Sequence, residues 1–168
     1  MRIFIRGAAS ASWYMHDDHA DVISATANPW YQYSPLKTIA SRFNLREEML
    51  CRASRRVNRL RKPALIYGQK IRLILVPKNV QDEELTTVLA DIAEHLGECE
   101  GRRLHMTHFS EIRVHPPLTH ITEICRWAAR QPTRLLDSVA LDIDEKHVET
   151  ILQVQRNFFT DTIQRAPL

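Results

Sequence analysis

Apolar residues follow a helical period in the first half of the chain and predict two consecutive helices. Ile39 and Phe43 lie one turn apart after Pro35, a residue suited to the first position of a helix, which predicts a helix of about two turns. A second, longer helix is predicted from about Arg46 to Arg61, and Pro63 ends it. The pattern therefore predicts a short helix, a tight turn and a long helix.

A β-hairpin is predicted directly after this helix pair. The segments Ala64–Tyr67 and Lys70–Val76 are rich in β-branched and aliphatic residues, and Pro77 ends the second of them. Gly68 stands where a tight hairpin turn needs a residue that accepts positive φ. Asn44, between the two helices, is also a residue that tolerates the left-handed conformation.

The rest of the chain predicts a further mixture of helices and strands. The first 33 residues are predicted to be an N-terminal arm with one short strand at Arg2–Arg6. The change of character near Pro77–Gln81 predicts a domain boundary, so the expected units are 1–33, 34–78 and 80–168. The last unit is predicted to contain a helix at Asp82–Leu96 capped by Gly97, two short strands within Leu104–Val114, a helix at Leu118–Arg130, a strand at Ser138–Ile143 and a final helix from Asp144 to about Ile163.

Positive charge is concentrated in the predicted helix pair and hairpin. The whole chain has a formal net charge of +3, but the segment from Arg42 to Lys78 has 11 Lys and Arg residues against Glu47 and Glu48. Such a basic segment is typical of a surface that meets an anionic partner.

Five residues of the predicted helix pair match the offsets of a DNA-binding motif. Ala40 stands where two helices cross, Asn44 at the turn and Leu45 just after it, and Leu50 and Ala53 face back from the second helix. The segment resembles the helix-turn-helix of bacterial transcription regulators, and the hairpin after it resembles the wing of the winged variety. The resemblance implies an α+β fold with an N-terminal winged helix-turn-helix and a C-terminal α+β domain for dimerisation or effector binding.

The function that this resemblance implies is sequence-specific binding of double-stranded DNA in transcription control. The expected protein is a homodimer, without a cofactor, whose C-terminal domain is able to contact a protein partner. The 46–61 helix would read the major groove, and further basic residues would contact phosphates. The expected DNA-binding residues are Lys37, Arg42, Arg46, Arg52, Arg55, Arg56, Arg59, Lys62, Lys70 and Arg72.

Three other interpretations of the same residues stay open. In the first, the segment is two ordinary surface helices whose arginines lie in solvent. The protein is alternatively an adaptor of a larger bacterial complex, in which the basic helix meets an acidic protein surface. A third interpretation follows from Gly68-Gln69-Lys70 ahead of an apolar run, which resembles the closing strand of the glycan-binding LysM module.

Catalytic and metal-binding chemistry is not expected from the sequence. The chain has no GxSxG, no Gly-rich phosphate loop and no HExxH, and three widely spaced cysteines without a CxxC pair. His16-Asp17-Asp18-His19 is interpreted as a solvated polar patch. The looser group of His105, His108, His115 and His120 is interpreted as surface and hydrogen-bonded histidines, with a ligand or proton-sensing site as the alternative. With no signal-peptide pattern and no apolar run of membrane length, the expected location is the cytoplasm.

Overall fold

The core of the fold is a sheet of seven strands that runs through the whole molecule. The computed structural model describes residues 1–7, 21–28, 35–107, 118–143, 145–158 and 162–165. The strands lie side by side in the order β3-β4-β2-β5-β6-β1-β7, and neighbours are parallel except for the antiparallel pair β3–β4. Their bounds are β1 Arg2–Gly7, β2 Val22–Thr26, β3 Ala64–Tyr67, β4 Arg72–Val76, β5 Arg103–Met106, β6 Ser138–Ile143 and β7 Ile163–Arg165.

Helices cover both faces of this sheet and make three layers. The helices are α1 Pro35–Arg42, α2 Glu47–Leu60, α3 Asp82–Cys99, α4 Leu118–Arg130 and α5 Val148–Arg156, with a 3-10 turn at Glu145–His147 before α5. Successive strand residues point to opposite faces. In β4, Leu73 and Leu75 therefore join the apolar cluster of α1 and α2, whereas Ile74 and Val76 join the cluster of α3, α4 and α5.

The prediction of an N-terminal winged helix-turn-helix with a separate C-terminal α+β domain is wrong. A wing is a hairpin at the edge of a small domain, but β4 lies between β3 and β2 and pairs in parallel with β2. Strand β2, where the sequence predicted no strand, is buried at all five residues. The sheet contains strands from each of the segments 1–33, 34–78 and 80–168, which makes the fold mixed α/β.

Several local predictions are confirmed although the overall fold differs. Helix α1 ends in a turn with φ of 52° at Asn44, and the backbone N–H of Leu45 donates to the carbonyl of Ala40 at 2.9 Å. This hydrogen bond is the one that closes a Schellman turn. The helix Leu118–Arg130 and the strand Ser138–Ile143 have the predicted bounds.

Other local predictions are wrong at their ends. Helix α3 continues through Gly97 to Cys99, and Glu100 takes the left-handed conformation instead, with φ of 55°. Gly68 has no positive φ; a Cβ there would lie 2.9 Å from Leu45 Cδ2, so close packing requires this glycine. The last helix ends at Arg156, and Ile163 belongs to a strand.

Candidate functional site

Strands β2 and β5 are neighbours whose following segments lead in opposite directions across the sheet. After β2 the chain reaches β4 on one side, and after β5 it reaches β6 on the other. In open α/β sheets, ligands bind at the carboxyl ends of the strands where the connections diverge in this way. We call this place, next to Thr26 and Met106, the carboxyl edge.

The backbone at the carboxyl edge is fixed by hydrogen bonds between three neighbouring strands. Thr107 donates to the carbonyl oxygen of Ser24 from both its backbone N–H, at 3.0 Å, and its hydroxyl, at 2.9 Å. On the other side of β2, the backbone N–H of Ala27 donates to the carbonyl of Val76 at 2.7 Å. Asn28, which follows Ala27 in the chain, is half-buried and lies at the carboxyl edge.

The end of α2 is attached to the same edge by a side-chain amide. Asn58 Nδ2 donates to the carbonyl of Ala27 at 2.9 Å, and its Oδ1 accepts from the backbone N–H of Lys78 at 2.9 Å. One amide therefore joins the segments that follow β2 and β4. The arrangement places the carboxyl-terminal turn of α2 beside the candidate site.

The amino ends of several helices point to the carboxyl edge. Helix α1 ends at the opposite edge, where Leu45 packs against Gly68 in the β3–β4 turn, so its amino end faces the carboxyl edge. The first residue of α3, Asp82, lies 2.5 Å from His120 Nε2 in the first turn of α4, so these two helices begin side by side. Helix amino ends carry unpaired N–H groups and partial positive charge, which favour anions.

The three helix ends differ in their own charge. The first turn of α3 contains Asp82, Glu83 and Glu84, whereas the first turns of α1 and α4 contain no acidic residue. Carboxylates at α3 neutralise its positive end. The first turn of α4 has the carboxylate of Asp82 beside it, so the amino end of α1, which follows β2 in the chain, is the one that best suits a phosphate group.

One face of the sheet beside this edge is polar. His105 is fully buried, and its Nε2 lies 2.9 Å from Asp142 Oδ2 on the neighbouring strand. Arg6 is 8% exposed and stands in register with Asp142. On the opposite face the same strands present aliphatic residues such as Leu104 and Leu141. This concentration of buried polar groups on one face is typical of a functional region.

A carboxylate also occupies the end of β1. Gly7 has no side chain, and the space that a Cβ would fill is taken by the carboxyl group of Glu145. Arg165 of β7 contacts Glu145 and, at 2.7 Å, Glu149. The absence of a side chain at Gly7 thus allows the segment after β6 to close over β1.

The basic residues expected from the sequence lie along α1, α2 and the β3–β4 turn, from the opposite edge of the sheet to the carboxyl-terminal turn of α2. All ten are exposed: Lys37, Arg42, Arg46, Arg52, Arg55, Arg56, Arg59, Lys62, Lys70 and Arg72. Arg52 pairs with Glu48 at 3.3 Å, and the Arg42 guanidinium lies 5.8 Å from the ring centre of Phe43. The structure thus brings the arginines of α2 together on one surface.

The candidate metal ligands are only partly described. His16–His19, His108 and His115 lie outside the described residues, and His105 and His120 contact different carboxylates. Within the described ranges, no group of three or more His, Cys, Asp or Glu residues is placed to hold a metal ion. The described helices include none that is long and apolar enough to cross a membrane.

Comparison with known proteins identifies the fold but no sequence family. No protein-family model matches the chain, and no curated protein matches it in sequence. Among solved structures, the macrodomain of Thermus aquaticus DarG matches with a TM-score of 0.64 and 10% identity, over 83% of this chain and 97% of that one. The Oceanobacillus iheyensis macrodomain mutant D40A matches with a TM-score of 0.57 and 13% identity, over 95% of this chain and 93% of that one.

A plant enzyme contains the same fold as part of a longer chain. Tomato leucine aminopeptidase, as the K354E mutant, matches with a TM-score of 0.61 and 12% identity over 91% of this chain. The match covers 35% of the aminopeptidase, so this chain spans about a third of that enzyme.

These neighbours overturn the functional prediction made from the sequence. The fold is that of macrodomains, not of winged helix-turn-helix regulators, so the prediction of a transcription regulator with double-stranded DNA as its main partner is wrong. The physical reason is that helix α2, the expected major-groove reader, packs on the sheet through Leu50 and Val57 as one layer of a three-layer domain.

Proposed function

We propose that the carboxyl edge binds ADP-ribose or a closely related nucleotide. The observation that carries the proposal is the shared architecture, since the structural neighbours are macrodomains and macrodomains bind ADP-ribose and related ligands. The place is the one where open α/β sheets bind their ligands.

The chemistry of the carboxyl edge fits such a ligand. ADP-ribose carries a diphosphate, and the amino end of α1 has N–H donors and partial positive charge without an acidic residue in its first turn. Asn28, half-buried just after β2, carries an amide, a group that suits a ribose hydroxyl or a phosphate oxygen. Asn28 is therefore the described residue that we expect to contact the ligand.

Isothermal titration with ADP-ribose tests this proposal, with ADP and ribose 5-phosphate as comparison ligands. We expect ADP-ribose to bind with micromolar affinity and Asn28→Ala to weaken it by about tenfold, as expected for one hydrogen-bonding group. Asn157→Ala, at an exposed position after α5, is the matched control and should bind like the parent protein. Equal affinity for ADP-ribose and ribose 5-phosphate would contradict the proposal.

We further propose that the protein binds such ligands without turnover. Macrodomains often hydrolyse ADP-ribose derivatives, but some only bind them. Among the described residues, the end of β2 contributes the hydroxyl of Thr26 and the amide of Asn28, and the end of β5 contributes the hydroxyl of Thr107, which already donates to Ser24. Incubation with an ADP-ribosylated protein should release no ADP-ribose above the uncatalysed rate, and measurable release would show a hydrolase.

A further inference from the structure

Charge is divided between the two faces of the molecule. The segment from Arg42 to Lys78 contains 11 basic and two acidic residues, so the rest of the chain has 12 basic and 18 acidic residues. Helix α3 has six acidic residues and no Lys or Arg. Because α1 and α2 cover one face of the sheet and α3 covers the other, the sheet separates a basic layer from an acidic one.

Four arginines of α2 form a continuous line, which we call the arginine stripe. Arg52, Arg55, Arg56 and Arg59 are separated by three, one and three positions, so they share one face of the helix. All four are exposed, and the buried residues Leu50, Ser54 and Val57 lie on the opposite face. The whole stripe therefore faces solvent.

The stripe leads to the candidate ligand site. Its last member, Arg59, follows Asn58, whose amide joins the ends of β2 and β4 at the carboxyl edge. Arg61 fixes the same end of the helix through hydrogen bonds to the carbonyl of Lys78 at 2.8 Å and to both carboxylate oxygens of Glu84 at 2.8 Å. The carboxyl-terminal turn of α2 thus lies at the carboxyl edge, and the stripe extends from there along the exposed face of the helix, away from the edge.

We propose that the arginine stripe binds an acidic protein segment that carries the ADP-ribose group, while the group itself enters the carboxyl edge. This inference rests on the proposed function and names its macromolecular partner. Guanidinium groups bind carboxylates through paired hydrogen bonds, so a row of arginines complements a row of Asp and Glu side chains.

The dimensions and charge of the stripe favour a short acidic segment over a nucleic acid. From Arg52 to Arg59 the helix rises about 10 Å, the length of about three extended residues. Glu48 continues the line beyond Arg52 and pairs with it, which would repel a phosphate backbone that followed the helix. A long polyanion would also approach the acidic rest of the molecule, whereas a short segment contacts the basic layer alone.

Titration with matched peptides tests the proposal. The probes are an ADP-ribosylated peptide with four Glu residues near the modified residue, the same modified peptide with Gln in their place, the unmodified acidic peptide, and free ADP-ribose. At low salt we expect the acidic modified peptide to bind about tenfold more tightly than the Gln peptide, as several weak exposed ion pairs would give. This ratio should fall towards one at high salt.

A triple variant locates the effect on the stripe. Arg55→Gln with Arg56→Gln and Arg59→Gln should reduce the ratio to about one and leave the affinity for free ADP-ribose unchanged; Arg52 is retained because it pairs with Glu48. Arg130→Gln with Arg134→Gln and Arg156→Gln removes the same charge at exposed positions outside the basic layer, and should keep the tenfold ratio.

The outcomes separate this inference from the proposed function. If free ADP-ribose binds but the acidic and the Gln modified peptides bind with equal affinity, the stripe proposal fails and the proposed function stands. If ADP-ribose does not bind, the proposed function fails. The stripe would still be supported as a binding surface if the unmodified acidic peptide bound to the parent protein and not to the triple variant. If a DNA duplex of equal charge binds the stripe as tightly as the acidic peptide does, the choice of an acidic protein segment as the partner is wrong.

Discussion

The guanidinium of Arg61 forms a two-pronged ion pair with the carboxylate of Glu84. Nε donates to Oε1 and a terminal nitrogen donates to Oε2, both at 2.8 Å, and the pair joins the end of α2 to the start of α3. The hydrogen bonds from Arg61, with one from the backbone of Gln81, lower the pKa of Glu84 to about 2. This contact across helices fixes the outer rim of the carboxyl edge.

The Arg61–Glu84 pair should make part of the stability depend on pH. Because the folded pKa of Glu84 is below its ordinary value of 4.5, the pair stabilises the fold above about pH 5 and loses this contribution as the pH falls towards about 2. Glu84→Gln should cost about 1 kcal/mol at pH 7, a figure that allows for solvent screening at this partly exposed pair.

Urea unfolding of Glu84→Gln and the parent protein between pH 2 and pH 7 measures this contribution. The difference between the two proteins should shrink as the pH falls towards 2, where Glu84 begins to be protonated in the folded state as well. Glu94→Gln, an exposed position on the same helix, is the control and should show no such dependence. A difference that stays constant with pH would contradict the assignment.

The amide of Asn58 should matter both for stability and for the candidate site. Asn58→Asp keeps the shape but places a carboxylate against the carbonyl of Ala27, so a donor is lost and two acceptors face each other. We expect a loss of about 2 kcal/mol at pH 7, partly recovered when the new acid is protonated. Calorimetry should also show weaker ADP-ribose binding, whereas Asn157→Asp should change neither quantity.

Gly7 and Gly101 should respond differently to a methyl group. Gly7→Ala meets the carboxyl end of Glu145, a partly exposed side chain that is able to move, so we expect a cost of about 1 kcal/mol. Gly101→Ala meets Val22, which is fully buried, and should cost about 3 kcal/mol. In a Glu145→Ala background the cost at Gly7 should fall, with only the tight approach to the Glu145 Cα at 3.3 Å remaining, and an unchanged cost in thermal unfolding would refute the side-chain contact.

The sequence predicted local elements well because short-range spacing determines them. The helix pair, its turn at Asn44 and the β3–β4 hairpin are encoded within about 40 residues, and the structure contains all of them. Such a unit occurs in a winged helix-turn-helix and also in a three-layer sandwich. What distinguishes the two is the pairing of β4 with β2, a contact between distant segments.

One signal for the correct fold was present in the sequence. Residues Leu73 to Val76 form a continuous apolar run, typical of a strand that is buried on both faces, whereas a wing exposes one face and alternates. Strand β2 gave no comparable signal because Ser24 and Thr26 interrupt it, although both are buried. Without β2, neither the carboxyl edge nor the position of Asn28 was predictable.

The contact between His105 and Asp142 should couple β5 to β6 beneath the candidate site. His105 is fully buried and its Nε2 lies 2.9 Å from Asp142 Oδ2, while the buried Arg6 faces Asp142 from β1. Removing the carboxylate of Asp142 leaves the side chains of His105 and Arg6 buried with one polar partner fewer. We therefore expect Asp142→Ala to cost about 3 kcal/mol in the free energy of unfolding.

A double-mutant cycle tests whether these two side chains act together. His105→Leu should cost a comparable amount, because leucine fills the space but leaves the carboxylate of Asp142 without the imidazole beside it. If the contact stabilises the fold, the double variant should lose less than the sum of the two single losses, by at least about 1 kcal/mol. Additive losses in urea unfolding would show that His105 and Asp142 are independent. The same single variants, titrated with ADP-ribose, should bind more weakly if this polar face supports the ligand site.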